Sequence, residues 1–137
     1  MFKRKIYSKM QEWKKNSNGK TALLIEGARR IGKSTVVEEF AKNEYQSYLL
    51  IDFSRASKET KELFEDVSDL NYLFLQLQLQ YKIDLQERNS VIIFDEVQLC
   101  PAARQAIKAL VADHRYDYIE TGSLISIKRN VKDILIP

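Results

Sequence analysis

The sequence predicts an α/β fold, a three-layer sandwich in which a central parallel sheet of about five strands carries helices on both faces. Three observations predict it. Short apolar runs at 21–26, 46–53, 90–95 and 116–121 have the length and near-continuous hydrophobicity of strands buried on both sides. Segments with helical spacing separate these runs, so strand and helix alternate, and such crossovers join parallel strands with right-handed connections. With 137 residues, 45% of them apolar, the chain is expected to build one core, a single domain over 1–137.

The elements follow in order. Phe2, Ile6, Met10 and Trp13 recur at helical spacing with lysines between them, which predicts an amphipathic helix over 3–15, with Trp13 as its core anchor. The turn formers Asn16-Ser17-Asn18-Gly19 end it. The run TALLIE (21–26) is the first strand, stopped by Gly27. From Gly32 to about Lys42 the spacing is helical, with Val36, Val37, Phe40 and Ala41 on one side. QSYLLIDF (46–53) is the second strand, and the charged stretch 55–65 is expected to be helical. In 70–81, Leu73, Leu75, Leu77 and Leu79 alternate as in a strand, but Leu70, Leu73, Phe74, Leu77 and Tyr81 form a helical stripe; length and repeated Gln predict helix. SVIIFD (90–95) is a third strand rich in β-branched residues. Pro101 suits the first turn of a helix running to His114. YDYIET (116–121) reads as a fourth strand and DILI (133–136) as a fifth.

Charged residues make up 30% of the chain with the two signs nearly balanced, an ordinary globular composition and not that of a disordered chain. No stretch approaches the roughly 18 apolar residues of a membrane span, and the basic N-terminus lacks the apolar run of a signal peptide. One cysteine, Cys100, forms no internal disulfide and suits a reducing compartment; a cytoplasmic protein with no membrane contact is expected. Residues 1–20 hold seven Lys/Arg against Glu12 alone, while residues 61–100 hold three basic against eight acidic residues. The basic end reads either as a solvated helix face or as an anion-binding surface, nucleic acid included.

The chemistry is expected at the carboxyl ends of the strands, after Glu26, Asp95 and Thr121. Gly27-Ala28-Arg29-Arg30-Ile31-Gly32-Lys33-Ser34 fills every fixed position of G-x-x-x-x-G-K-[ST], between a buried strand and a helix. Its glycines let backbone N–H groups turn toward a phosphate, and the following helix aims its positive end at the same anion. Lys33 adds a full charge for the β- and γ-phosphates, and Ser34 offers a hard oxygen to Mg²⁺. Arg29 and Arg30 lie inside the loop and read equally well as phosphate contacts or as exposed side chains.

The strand VIIFDE ends in two adjacent carboxylates, 61 residues after Ser34 in the case of Asp95. Asp95 is placed to hold Mg²⁺ opposite Ser34, and Glu96 to polarise an attacking water as general base. A kinase has no need of a water-activating glutamate, so the pair favours hydrolysis of ATP over phosphoryl transfer. Cys100 has no partner that would make it a nucleophile, and His114 reads as a helix cap.

The segments LLIEGARRIGKST, YLLIDFS, VIIFDEVQLCP, RQAIKALVADHRYDYIETGSLISI and NVKDILIP together resemble the AAA-type P-loop ATPases of archaea and bacteria, in which an ATPase core precedes a C-terminal domain of unknown function. The resemblance spans 23–137 and implies a sheet order of 5-1-4-3-2. It implies ATP as ligand, bound by residues Gly27 through Thr35, with Asp95 and Glu96 as the Walker B pair. Thr121 would be the polar sensor of the γ-phosphate, with Ser123 as the alternative, and Gln98 falls within the DEVQ signature. Family members continue past this point, so the helical lid and the C-terminal domain are expected to be absent from this chain. Arg104, Arg115 and Arg129 are the candidate arginines for action in trans in a homo-oligomer, and a protein partner fits equally. Two alternatives stand beside Mg²⁺-dependent ATP hydrolysis driving a conformational switch: a truncated nucleotide-binding module with little turnover, and an ATP-gated nucleic-acid-binding protein.

Overall fold

A computed structural model describes residues 2–27, 32–123 and 134–135. The elements are α1 (Phe2–Ser17), β1 (Leu23–Glu26), α2 (Lys33–Glu44), β2 (Ser47–Asp52), α3 (Lys58–Leu63), α4 (Leu70–Tyr81), β3 (Ser90–Asp95), α5 (Pro101–Asp113), β4 (Asp117–Gly122) and β5 (Ile134–Leu135). A 3₁₀ turn, Val97–Leu99, links β3 to α5. The five strands form one parallel sheet in the order β2-β3-β4-β1-β5, which is the expected 5-1-4-3-2 read from the other edge.

That order fixes where the helices lie. The chain leaves β1 and travels across two strand positions to β2, then steps back through β3 to β4. Right-handed crossovers in opposite directions put their helices on opposite faces. The packing agrees. One face joins Ile6 and Met10 of α1 and Val36, Val37 and Phe40 of α2 to Leu23, Ile25, Ile93 and Ile119. The other joins Phe64, Leu73, Phe74 and Leu77 to Ala103, Leu110, Phe94 and Tyr118. Phe53, Phe64 and Phe94 meet edge to face at centroid separations of 5.2–5.8 Å, the geometry that aromatic quadrupoles favour.

Several boundaries move for local reasons. β1 starts at Leu23, two residues late, because Thr21 is spent on the end of α1: its N–H donates to Ser17 Oγ and its carbonyl accepts from Trp13 Nε1. Trp13 is therefore half-buried and tied by its indole N–H. The charged stretch is helical only over Lys58–Leu63, capped by Ser57, which accepts from Thr60 N–H at 3.1 Å. In α4 the helical stripe wins: Leu73, Phe74 and Leu77 are buried while Leu75 and Leu79 face out, and Asp69 caps the first turn through Tyr72 N–H. β4 carries two acids in a fully buried strand because each has a partner. Asp117 accepts from Arg88 at 2.8 Å and from the Tyr45 hydroxyl, and Glu120 accepts from Arg104 at 3.0 Å. Of the expected fifth strand, Asp133 and Ile136 lie outside the described residues.

Candidate functional site

The carboxyl ends of β1, β3 and β4 lie side by side: β4 runs between β1 and β3, with Ile25 level with Thr121 and Phe94 level with Glu120. Gly27, Gly32, Lys33, Ser34, Asp95, Glu96 and Thr121 arrive at this edge. Gly27 closes β1, its N–H donating to the Gly122 carbonyl at 3.1 Å. Ala28, Arg29, Arg30 and Ile31 lie outside the described residues. Gly32 then caps α2 in the left-handed region (φ 76°), a conformation that glycine adopts without the steric cost a Cβ brings. Helix α2 starts at Lys33, so its unpaired N–H groups and the positive end of its dipole open onto the site.

Five residues form a connected network there. Ser34 Oγ donates to Asp95 Oδ1 at 2.8 Å, bringing the start of α2 to the end of β3. Thr121, fully buried in β4, donates its hydroxyl to the same Asp95 oxygen and accepts the Glu96 backbone N–H at 3.1 Å. Thr121 is therefore a strut that fixes both acids, one through its side chain and the other through its backbone. Glu96 itself sits at φ 55°, ψ 52°, a left-handed conformation that costs a non-glycine residue about 1–2 kcal/mol. That turn at the end of β3 carries the Glu96 carboxylate to Lys33, whose Nζ lies 3.4 Å from Oε2.

The Lys33 side chain is 2% exposed and that of Glu96 is 10% exposed, so their charges face each other with little water between them. Thr35 is exposed on the outer side of α2. Gln98 is the site residue for which spacing alone supplied no role. The 3₁₀ turn folds it back so that its Nε2 donates to Glu96 Oε1 at 2.8 Å, with Ser123 Oγ at 3.5 Å. Its position two residues after Glu96 was the available signal; the tight turn that makes two residues enough was not.

Two of the arginines offered for action in trans are committed within the chain. Arg104 holds Glu120 through both carboxylate oxygens, at 3.2 and 3.0 Å. Arg115 pairs with Asp113 at 3.0 Å and stacks over Phe74. Arg129 lies outside the described residues. His114 does cap α5, adopting the left-handed C-cap conformation with its Nε2 3.1 Å from the Asn18 carbonyl. Cys100 is buried and free, at the start of α5. Among the described residues no helix is long and apolar enough to cross a membrane, and no group of three or more His, Cys, Asp and Glu is placed to cage a metal.

A helix start after a phosphate-loop sequence, a polar residue on the neighbouring strand β4 and two acids at the end of β3 beyond it are the parts that a nucleotide site needs. The family model described as AAA domain matches residues 19–135. The chain belongs to the AAA domain family. It is an AAA-type P-loop ATPase core, and its described sheet has the strand order that this resemblance implies. Of the solved structures, PCH-2 of C. elegans superposes on 98% of the AAA chain with a TM-score of 0.52 at 15% identity, a likeness of fold. The AAA chain spans 41% of that protein's length. No curated protein matches it in sequence.

Proposed function

We propose that this AAA core binds ATP with Mg²⁺ and hydrolyses it, and that hydrolysis drives a conformational switch. The observation that carries the reading is the unbroken chain of contacts Ser34–Asp95–Thr121–Glu96–Lys33 at the amino end of α2. Each member has a use in phosphoanhydride cleavage, and the network holds all of them at one edge of the sheet.

Lys33 and the first N–H groups of α2 bind the β- and γ-phosphates. The donor set beside them suits a small hard cation: Ser34 Oγ and Asp95 Oδ1 are both oxygens, 2.8 Å apart. Among the described residues, Ser34 and Asp95 would hold Mg²⁺. When bound, the ion neutralises the charge that develops on the phosphates. Glu96 accepts a proton from the attacking water, and Gln98, hydrogen-bonded to the same carboxylate, orients it. Thr121 keeps Asp95 and Glu96 from separating as the charges around them change. Residues 28–31 supply the remainder of the phosphate loop. A cation acting in trans, from a homo-oligomer or a protein partner, would be a residue other than Arg104 and Arg115, which are paired within the chain.

The test is equilibrium binding of ATP in Mg²⁺ buffer by the whole chain, wild type against Lys33→Ala. Saturable binding lost in the variant supports the reading. Equal binding by both proteins, or none by the wild type, contradicts it.

A further inference from the structure

We infer that Lys3, in the first turn of α1, is a second cation of the phosphate site and contacts the phosphate groups of a bound nucleotide. The inference rests on the nucleotide-binding reading above and adds a residue to it from outside the matched family region, which begins at residue 19.

Helix α1 packs against α2. Tyr7 meets Phe40 edge to face at 5.4 Å and donates its hydroxyl to Glu44 at 3.0 Å, and further down Lys14 lies 4.8 Å from the Tyr45 ring centre. Ile6 and Met10 are buried in the core shared with α2, so the rotation of α1 about its axis is fixed. Helix α2 begins at the candidate site. Lys3 sits one turn before Tyr7 on the same face. Its Cε lies 3.9 Å from the point a Cβ on Gly32 would occupy, beside the glycine that precedes Lys33.

The charge pattern of α1 points the same way. Its first turn holds Lys3, Arg4 and Lys5 and no acid. Cations at a helix amino end oppose the dipole, where carboxylates are the favourable choice. Among the described residues no carboxylate pairs with Lys3, so nothing within them relieves that opposition. A phosphate anion at Gly32 would relieve it. Lys3 is exposed, so removing its charge leaves the core intact.

The experiment measures affinity for ATP and for inorganic tripolyphosphate, both in Mg²⁺ buffer, using the whole chain. The proteins are wild type, Lys3→Ala, Lys3→Arg, Lys33→Ala and, as a control on the outer face of α1, Lys9→Ala. Lys3→Ala is expected to weaken both ligands by roughly three- to tenfold, the effect of one exposed charge-assisted contact. Lys3→Arg restores affinity, Lys9→Ala changes nothing, and the melting temperature of Lys3→Ala is unchanged. Wild-type affinity in Lys3→Ala, alongside lost binding in Lys33→Ala, overturns the assignment of Lys3 and leaves the nucleotide site standing. A loss confined to ATP overturns the phosphate contact. A wild type that binds neither ligand overturns the nucleotide reading together with this one.

Discussion

The Lys33 ammonium lies 3.4 Å from the Glu96 carboxylate, joining residues 63 positions apart through two nearly buried side chains. In the proposed mechanism both are needed elsewhere: Lys33 on phosphate, Glu96 on water. An arriving phosphate therefore competes with Glu96 for Lys33. Replacing Glu96 with Gln removes the competing charge and the repulsion it exerts on the nucleotide. We expect Glu96→Gln to bind ATP roughly three- to tenfold more tightly, the effect of one charge interaction on this scale. Isothermal titration checks this, and weaker binding than wild type would contradict it.

Thr121 ties Asp95 to the backbone of Glu96. Thr121→Val keeps the shape of the side chain and deletes both hydrogen bonds, leaving the buried Glu96 N–H unsatisfied. The expected cost is about 1–3 kcal/mol of stability, with ATP hydrolysis slowed by roughly tenfold or more through misplacement of the acids. Denaturation in urea and steady-state phosphate release measure the two effects. Thr121→Ser, which retains the hydroxyl, is expected to recover most of both.

Gly32 sits at φ 76° at the amino end of α2, and among the described residues a Cβ there would meet Lys3 Cε alone, at an ordinary contact distance. Gly32→Ala is thus opposed by backbone conformation, at about 1–2 kcal/mol. Because the strained residue adjoins Lys33, nucleotide affinity is expected to fall more than the melting temperature suggests. Thermal melts with and without Mg²⁺-ATP separate the two.

The Arg104–Glu120 pair tests the sheet behind the site. Burial, only partly offset by Arg104, pushes the Glu120 carboxyl up to about 7. A carboxylate raised on folding binds more protons in the folded state, so its contribution to stability is present at low pH and is lost as pH rises through about 7. Arg104→Ala removes the one cation holding the charged form. At pH 8 it is expected to destabilise by about 3 kcal/mol, the scale of a broken buried pair, and much less at pH 5, where Glu120 is protonated. Urea midpoints at the two pH values decide it; an equal loss at both would contradict the assignment.

The alternation of buried runs and helical spacings was enough to read the layers, and β1 and β3 were the plainest strands because they are apolar on both faces. The strand order followed from the resemblance. What the sequence hid was set by long-range pairing. Asp117 and Glu120 look out of place in a strand until Arg88 and Arg104 are brought to them. The left-handed turn at Glu96 has no glycine to announce it, so the Lys33–Glu96 contact and the return of Gln98 were not legible. Likewise, nothing local indicates that the first turn of α1 ends at Gly32; that depends on how Tyr7 and Met10 seat the helix.

The central claim is that Glu96 activates water at a site that holds ATP through Lys33. The most direct measurement is phosphate release from pre-bound Mg²⁺-ATP in a single turnover, wild type against Glu96→Gln, with retained nucleotide followed in the same samples. The account predicts release by the wild type, and retention of intact ATP by the variant with release slowed by at least about a hundredfold. Release at the wild-type rate in Glu96→Gln would contradict it.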